Sequence, residues 1–164
     1  MSARRLAAPL VLLASSLAGC GSEASEPAAP IPAGGAGFTY NGITHTSWAR
    51  IGYELPEGPG SRQALAATHA NWAGLLVTWY MDTRTSNAIA PDLSSSPSDA
   101  GVEGAIDELH ALGLQVMLKP HVDVHDGTWR AQIAPADRAA WWASYAAFMD
   151  HYAEIAARKN VGML

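Results

Sequence analysis

Hydrophobic and polar positions alternate along residues 116–130. Successive side chains of a strand point to opposite faces, so this alternation predicts one apolar face and one polar face. The apolar face carries Val116, Leu118, Val122 and Val124, and the polar face carries Met117, Lys119, His121, Asp123 and His125. Helical patterns before and after the stretch are typical of a parallel strand that helices cover. We expect the polar row to face the inside of a barrel, where active sites form at the carboxyl ends of strands. A solvated edge strand is the alternative.

The remaining pattern predicts the order β-α-β-α-β-α-β. Strands are predicted at residues 38–46, 71–80 and 114–124, and a fourth apolar run begins at 161–164. A short helix is predicted at 62–69. The second helix is predicted to begin at a capping box, Ser96-Pro97-Ser98-Asp99, and to end at Gly113. The longest helix is predicted at 137–158, with an apolar stripe formed by Trp141, Tyr145, Phe148, Tyr152 and Ile155.

This alternation is typical of right-handed crossovers between parallel strands. Doubly wound sheets and (β/α)8 barrels both begin in this way. No glycine-rich phosphate fingerprint follows the first strand, and a long loop at residues 47–60 suits a substrate cleft. The prediction for residues 38–164 is therefore an α/β fold, the N-terminal half of a (β/α)8 TIM barrel with about three and a half β/α units.

The first 19 residues have the composition of a secretory signal peptide. Two arginines precede an apolar run, and the run ends in Leu17-Ala18-Gly19-Cys20, which matches the bacterial lipobox. Cys20 is the one cysteine of the chain, so no intramolecular disulfide can form. We expect lipidation of Cys20 and attachment to the outside of a bacterial membrane, the outer membrane in a Gram-negative cell. An ordinary signal peptide with a chance cysteine is the alternative.

Residues 20–37 are predicted to be a flexible tether, because Gly, Ala, Ser, Pro and Glu dominate and Ile31 is the one large apolar side chain. The formal net charge of the whole chain is −5. No basic patch accompanies this negative balance, so nucleic acid is not an expected partner.

Aromatic and charged residues collect where the predicted strands end. They are His45, Ser47, Trp48, Thr78, Trp79, Tyr80, Asp82, Lys119, His121, Asp123 and Trp129. Aromatic rings stack on the apolar faces of sugars and charged groups bind hydroxyls, so this mixture favours a carbohydrate ligand. Core packing is the alternative for any single tryptophan. Trp141 is assigned to the core and Trp142 to the flank of its helix.

His121, Asp123 and His125 share one strand face and also invite a metal interpretation. Same-face neighbours on a strand lie about 7 Å apart, so a straight strand cannot bring all three to one ion. Neither a metal nor a cofactor is predicted.

Four segments together resemble glycoside hydrolase family 113. They are T-x-T-S-W at residues 44–48, N-W-x-x-L-x-V-T-W-Y at 71–80, M-L-K-P-H-V-D-V-x-D-G-T-W-R at 117–130 and W-x-x-Y-x-x-F-x-x-H-Y-A at 142–153. The family consists of (β/α)8-barrel β-mannanases and relatives that act with retention of configuration. The resemblance implies that Lys119, His121 and Trp129 line a sugar-binding cleft, with Trp48, Trp79 and Tyr80 nearby.

The resemblance also implies an acid/base glutamate at the end of strand four and a nucleophile on a later strand, both beyond Leu164. We therefore expect this chain to be inactive as it stands and its full-length parent to hydrolyse β-linked polysaccharide, since retaining hydrolysis needs two carboxylates. Two other functions remain open: a non-catalytic carbohydrate-binding lipoprotein and a metal-dependent TIM-barrel hydrolase.

Overall fold

The computed structural model describes residues 39–164, and strands and helices alternate along them. Three parallel strands form one sheet in the order of the sequence: β1 (Gly42–His45), β2 (Trp72–Met81) and β3 (Gln115–Val124). The α-helices are α1 (Gly58–Ala66), α2 (Asp99–Ala111) and α3 (Arg138–Arg158), and a 3-10 helix, Arg130–Gln132, precedes α3. The predicted order of elements is confirmed through the third α-helix.

One face of the sheet, called here the helix face, forms the hydrophobic core. Alternate β2 residues contribute Ala73, Leu75 and Val77, and β3 contributes Val116 and Leu118. They pack against buried positions of the helices: Leu65, Val102, Ala105, Ile106, Leu109, Phe148, Tyr152 and Ile155. Each fully buried aliphatic or aromatic side chain stabilises the fold by about 1.5–3 kcal/mol, so this layer fixes the sheet relative to the helices.

Strand β1 is shorter than the predicted strand at 38–46, and helix α1 begins earlier than predicted. The side chain of Asn71 accepts the Asn41 N–H at 2.7 Å and donates to the Thr39 carbonyl at 3.1 Å, so it takes the place of ladder bonds there. Pro59 lies in the first turn of α1. Its fixed φ and missing N–H suit that position, which explains a start before Arg62.

The N-cap of α2 is Ser98, so the predicted capping box that starts at Ser96 is wrong. The Ser98 Oγ accepts the Gly101 N–H at 2.9 Å. Ser96 is buried, and its hydroxyl donates to the Thr78 carbonyl at 2.6 Å while it accepts the Asp92 N–H at 2.9 Å. This hydroxyl therefore holds the loop after β2 onto the strand and is not available to a helix terminus.

The longest helix agrees with its prediction. Asp137 caps α3 by accepting the N–H groups of Ala139 and Ala140, and the helix ends at Arg158 as expected. Of the predicted stripe, Phe148, Tyr152 and Ile155 are buried, whereas Trp141 and Tyr145 are partly exposed. These two rings border a cavity of about 420 Å³ beside β3, so the assignment of Trp141 to the core is only partly correct.

The predicted fourth apolar run lies beside β3. Gly162 donates to the Val116 carbonyl at 3.1 Å, Leu118 donates to the Met163 carbonyl at 3.0 Å, and Met163 forms a parallel bridge with Met117. Residues 162 and 163 therefore occupy the place of a strand next to β3.

The predicted signal peptide at 1–19 and the tether at 20–37, including Cys20, lie outside the described residues. Their boundaries and the lipidation of Cys20 remain predictions. Among residues 39–164, no helix is both long enough and apolar enough to cross a membrane.

Candidate functional site

The face of the sheet opposite the helix face, called here the polar face, carries the candidate site. A Cβ placed on Gly74 would point at Thr44 and Met117, which identifies those three positions as neighbours on this face. The register then pairs Leu76 with Lys119, Thr78 with His121 and Tyr80 with Asp123. Because side chains alternate, these pairs form successive levels of the polar face towards the carboxyl ends of the strands.

A tight turn after β3 brings the chain back to this face. The Thr128 N–H is donated to a carboxylate oxygen of Asp126 at 2.8 Å, and Gly127 between them has a φ of 77°. That left-handed conformation is costly for residues with a Cβ, so glycine suits the turn. Trp129 and Arg130 follow immediately, and Arg130 begins the 3-10 helix.

Arg130 connects two side chains of the polar row. Its Nη1 lies 2.6 Å from Nδ1 of His121, and its Nη2 donates to Oδ2 of Asp123 at 3.1 Å. The other carboxylate oxygen of Asp123 accepts the Val124 N–H at 3.0 Å. Both oxygens of Asp123 therefore accept hydrogen bonds from the protein itself. Arg130 holds His121 and Asp123 in one fixed arrangement.

The imidazole of His121 is half-buried among cations. Its pKa is lowered first by burial and then by Arg130 and Lys119, whereas Asp123 acts in the opposite direction. Burial disfavours the imidazolium, and neighbouring positive charges disfavour it further. The neutral form of His121 is therefore stabilised at the polar face.

Tyr80 and His125 form an aromatic platform at the edge of the same face. Their ring centroids are 4.6 Å apart and the planes differ by 8°. Burial raises the pKa of Tyr80, and the nearby Asp123 raises it further, so the phenol keeps its proton. Nε2 of His125 lies 3.5 Å from Oδ2 of Asp92, which comes from the loop after β2.

The three predicted site tryptophans occupy different places. Trp129 and Trp48 are 70% and 54% exposed, and both follow the carboxyl ends of their strands, β3 and β1. Trp79 lies on the helix face, where its ring centroid is 5.1 Å from that of Phe148 and 5.4 Å from that of His151. The structure therefore does not bring Trp79 together with Lys119 and His121.

The three residues considered as metal ligands contact different partners. His121 and Asp123 contact Arg130, and His125 contacts Tyr80 and Asp92. No group of three or more His, Cys, Asp or Glu side chains in the described part of the chain is arranged to hold an ion. The arrangement offers hydrogen-bond donors and aromatic faces.

Two features of the site were not predicted from the sequence. Arg130 is the last residue of a motif, and its position in the same short polar loop as Trp129 is a usable sequence signal for its role. Oγ1 of Thr78, the register partner of His121, is buried without a hydrogen-bond partner among residues 39–164. The sequence places Thr78 at the end of a predicted strand, but no pattern in it indicates that the hydroxyl lacks a partner within the described range.

Comparisons with known proteins identify a family and several similar solved structures. The model of Glycoside Hydrolase Family 113 matches residues 43–164. The structure is similar to the GH113 β-mannanase AaManA from Alicyclobacillus acidocaldarius in complex with ManMIm, with a TM-score of 0.70 and 32% sequence identity. That match covers 74% of this chain and 42% of AaManA. A comparison with curated proteins found no match.

Two further structures described as GH113 β-1,4-mannanase, one of them a complex, give TM-scores of 0.68 and 0.69 at 26% and 27% identity. They are matched over 76% and 74% of this chain and over 44% and 43% of their own length. The chain thus spans less than half the length of these relatives. The likeness confirms the predicted fold, part of a (β/α)8 barrel.

Proposed function

The chain belongs to glycoside hydrolase family 113, and from this premise we propose that the whole protein hydrolyses β-mannan or a related β-linked polysaccharide with retention of configuration. The similar solved structures are described as β-mannanases. Because this chain covers less than half of each of them, the substrate and the activity are proposed for the whole protein.

The observation that carries the proposal is the composition of the polar face at the carboxyl ends of β2 and β3. Lys119 and His121 offer N–H groups there, Tyr80 offers a phenol, and Trp129 exposes a large aromatic ring just beyond. Hydroxyl oxygens of a sugar accept hydrogen bonds from such donors, and the apolar face of a pyranose ring packs on an aromatic ring. We assign these four residues, with Trp48, to sugar binding.

Asp123 is proposed to act within the same site through Arg130. Its two oxygens already accept hydrogen bonds from Arg130 and from the Val124 N–H. A carboxylate oxygen has more than one lone pair, so a sugar hydroxyl can still donate to it. Its first effect is nevertheless to fix Arg130.

The glutamates of the described residues lie on helices α2 and α3 or in the loop before α1. Glu108 and Glu103 bind Arg62 and Arg158 at the helices, Glu54 contacts Ser98, and Glu57 precedes α1. Glu154 lies on α3. A retaining glycosidase needs two carboxylates about 5–5.5 Å apart across one glycosidic bond. We therefore propose that both catalytic carboxylates come from outside residues 39–164, and that these residues bind sugar without hydrolysing it.

The test compares the 164-residue chain with a version extended along the downstream reading frame. Reducing-sugar release from mannan, glucan and xylan is measured for both. The proposal requires turnover of mannan by the extended protein and none by the shorter chain. Turnover by the shorter chain that Asp123→Asn abolishes would contradict it, and so would an extended protein that binds mannan without cleaving it, the behaviour of a non-catalytic binding lipoprotein.

We also propose that lipid on Cys20 attaches the protein to a bacterial membrane outside the cytoplasm. The support is the sequence Leu17-Ala18-Gly19-Cys20 after an apolar run. Cys20→Ser should leave an uncleaved precursor without lipid and change its fractionation with membranes, whereas Ser22→Ala should not. Normal processing and fractionation of the Cys20→Ser variant would contradict the anchor.

A further inference from the structure

The contact between Arg130 and His121 determines where the imidazole carries its hydrogen. Guanidinium groups donate hydrogen bonds and cannot accept them. Since Nη1 of Arg130 lies 2.6 Å from Nδ1 of His121, Nδ1 must be the acceptor. The hydrogen of the neutral ring must then lie on Nε2.

The Nε2 atom of His121 remains available to a ligand. It makes no hydrogen bond with any residue in the range 39–164. The buried side-chain atoms without a partner in that range are Nε2 of His45 and Oγ1 of Thr78, so Nε2 of His121 is not sealed inside the protein. It therefore offers one N–H donor at the polar face.

Arg130 is itself fixed from two sides. Asp123 accepts its Nη2 at 3.1 Å, and the turn at Asp126 and Gly127 returns the chain to the strand. A guanidinium is a planar fork, so binding one end to Asp123 sets the direction of the other towards His121. A single lysine ammonium does not reproduce this geometry.

We propose that Arg130 is a positioning residue: by bridging Asp123 and His121 it keeps His121 as the neutral tautomer with its hydrogen on Nε2, a single donor for a sugar hydroxyl oxygen. The tautomer follows from the protein alone, and only the identity of the acceptor rests on the proposed function.

Both cations near His121 also favour the neutral ring. Arg130 from the 3-10 helix and Lys119 from β3 lower its pKa, and burial contributes more than either. Asp123 alone raises it. On the neighbouring strand, the register partner is the uncharged Thr78, and Tyr80 keeps its proton.

Nuclear magnetic resonance of the ¹⁵N-labelled full chain tests the tautomer directly. Long-range proton–nitrogen correlations of the histidine rings distinguish Nε2–H, Nδ1–H and imidazolium forms, and His121→Gln identifies the signal of His121. We expect the Nε2–H form at pH 7 and a midpoint of protonation below 6.5. An Nδ1–H form or an imidazolium at pH 7 would overturn the proposal. This measurement needs no altered Arg130, so a misfolded variant cannot leave the question open.

The variant Arg130→Met then tests whether Arg130 causes this tautomer of His121. Loss of the cation, together with release of Asp123, should move the midpoint of His121 upwards and remove the preference for the Nε2–H form. The matched control is Arg158→Met, which breaks another exposed arginine–carboxylate pair, with Glu103, at a distance from the polar face. An unchanged His121 signal in Arg130→Met, or an equal change in the control, would overturn the proposal.

Titration with a manno-oligosaccharide separates this inference from the proposed function. Arg130→Met should weaken binding about tenfold, the effect of losing one hydrogen bond with good geometry. A chain with the Nε2–H tautomer that binds no oligosaccharide would contradict the proposed function alone. Binding that does not change when Arg130→Met alters the tautomer would overturn the role of the Nε2 donor.

Discussion

Arg62 is 1% exposed, and its guanidinium meets the carboxylate of Glu108 with Nη2 and Oε2 2.7 Å apart. Nε of the same arginine donates to that oxygen, also at 2.7 Å, and Nη1 donates to the Tyr53 carbonyl at 3.3 Å. The pair joins α1 to α2 and to the loop that follows β1, the strand next to β2. This buried cation therefore holds two helices and the loop after β1 together.

Removing the partner of this buried cation should destabilise the fold. Glu108→Met leaves the Arg62 guanidinium without its carboxylate, and we expect a loss of about 2 kcal/mol in the free energy of unfolding, typical of a hydrogen bond to a charged group. Urea denaturation measures the loss. Glu103→Met is the matched control, because Glu103 lies on the same helix and also binds an arginine at 2.7 Å, but in an exposed pair. An equal loss in both variants would contradict the importance of burial.

The position of the α2 cap makes a second prediction. Asn is as good an N-cap as Ser, so Ser98→Asn should change the free energy of unfolding by less than about 0.5 kcal/mol. Ser96 is 1% exposed and bonded on both sides, so Ser96→Asn should cost about 1–3 kcal/mol through overpacking. Thermal or urea unfolding compares the two. A larger loss of stability in Ser98→Asn than in Ser96→Asn would indicate that Ser96 is the cap.

Histidines make the fold sensitive to mild acid. Burial is the first cause of a lowered pKa at His45, His110 and His121, each from an ordinary value of 6.5. The unfolded chain then binds protons that the folded chain does not. The free energy of unfolding should therefore fall as the pH drops below about 6.5, until the lowered pKa values are passed. Urea denaturation between pH 7.5 and 5 should show this slope.

One part of this pH dependence of the free energy of unfolding is assigned to His45. Its Nε2 is buried without a partner in the described range, so protonation is costly in the fold. His45→Gln should therefore flatten the pH dependence of the free energy of unfolding between pH 7.5 and 5. Equal slopes in His45→Gln and in the parent would rule out a contribution from His45.

The alternation on β3 was sufficient to predict which residues share the polar face. Val116 and Leu118 are in the core, and Lys119, His121 and Asp123 lie together on the opposite side, because a period of two cannot be satisfied in another way. Asp137 likewise determined the start of α3 through its own backbone contacts. These features depend on residues close in sequence.

Features that depend on tertiary contacts were not predictable. Ser96 looked like a cap, but the Thr78 carbonyl from another element engages its hydroxyl. Trp79 is a different case, because strict alternation along β2 already predicts that it faces the side opposite Tyr80, which the register places beside Asp123. The contact of Arg130 with His121 and Asp123 depends on the direction of the turn after β3. That direction is determined by the fold as a whole.

Isothermal titration of the chain with a manno-oligosaccharide tests the central claim, that the polar face and the loop after β3 bind sugar. We expect measurable binding by the parent and at least about tenfold weaker binding by His121→Ala and by Trp129→Ala, with urea midpoints close to that of the parent. Trp142→Ala is the control, because Trp142 is 56% exposed but belongs to α3. The account is contradicted if the parent binds no oligosaccharide, or if Trp142→Ala weakens binding as much as the two site variants.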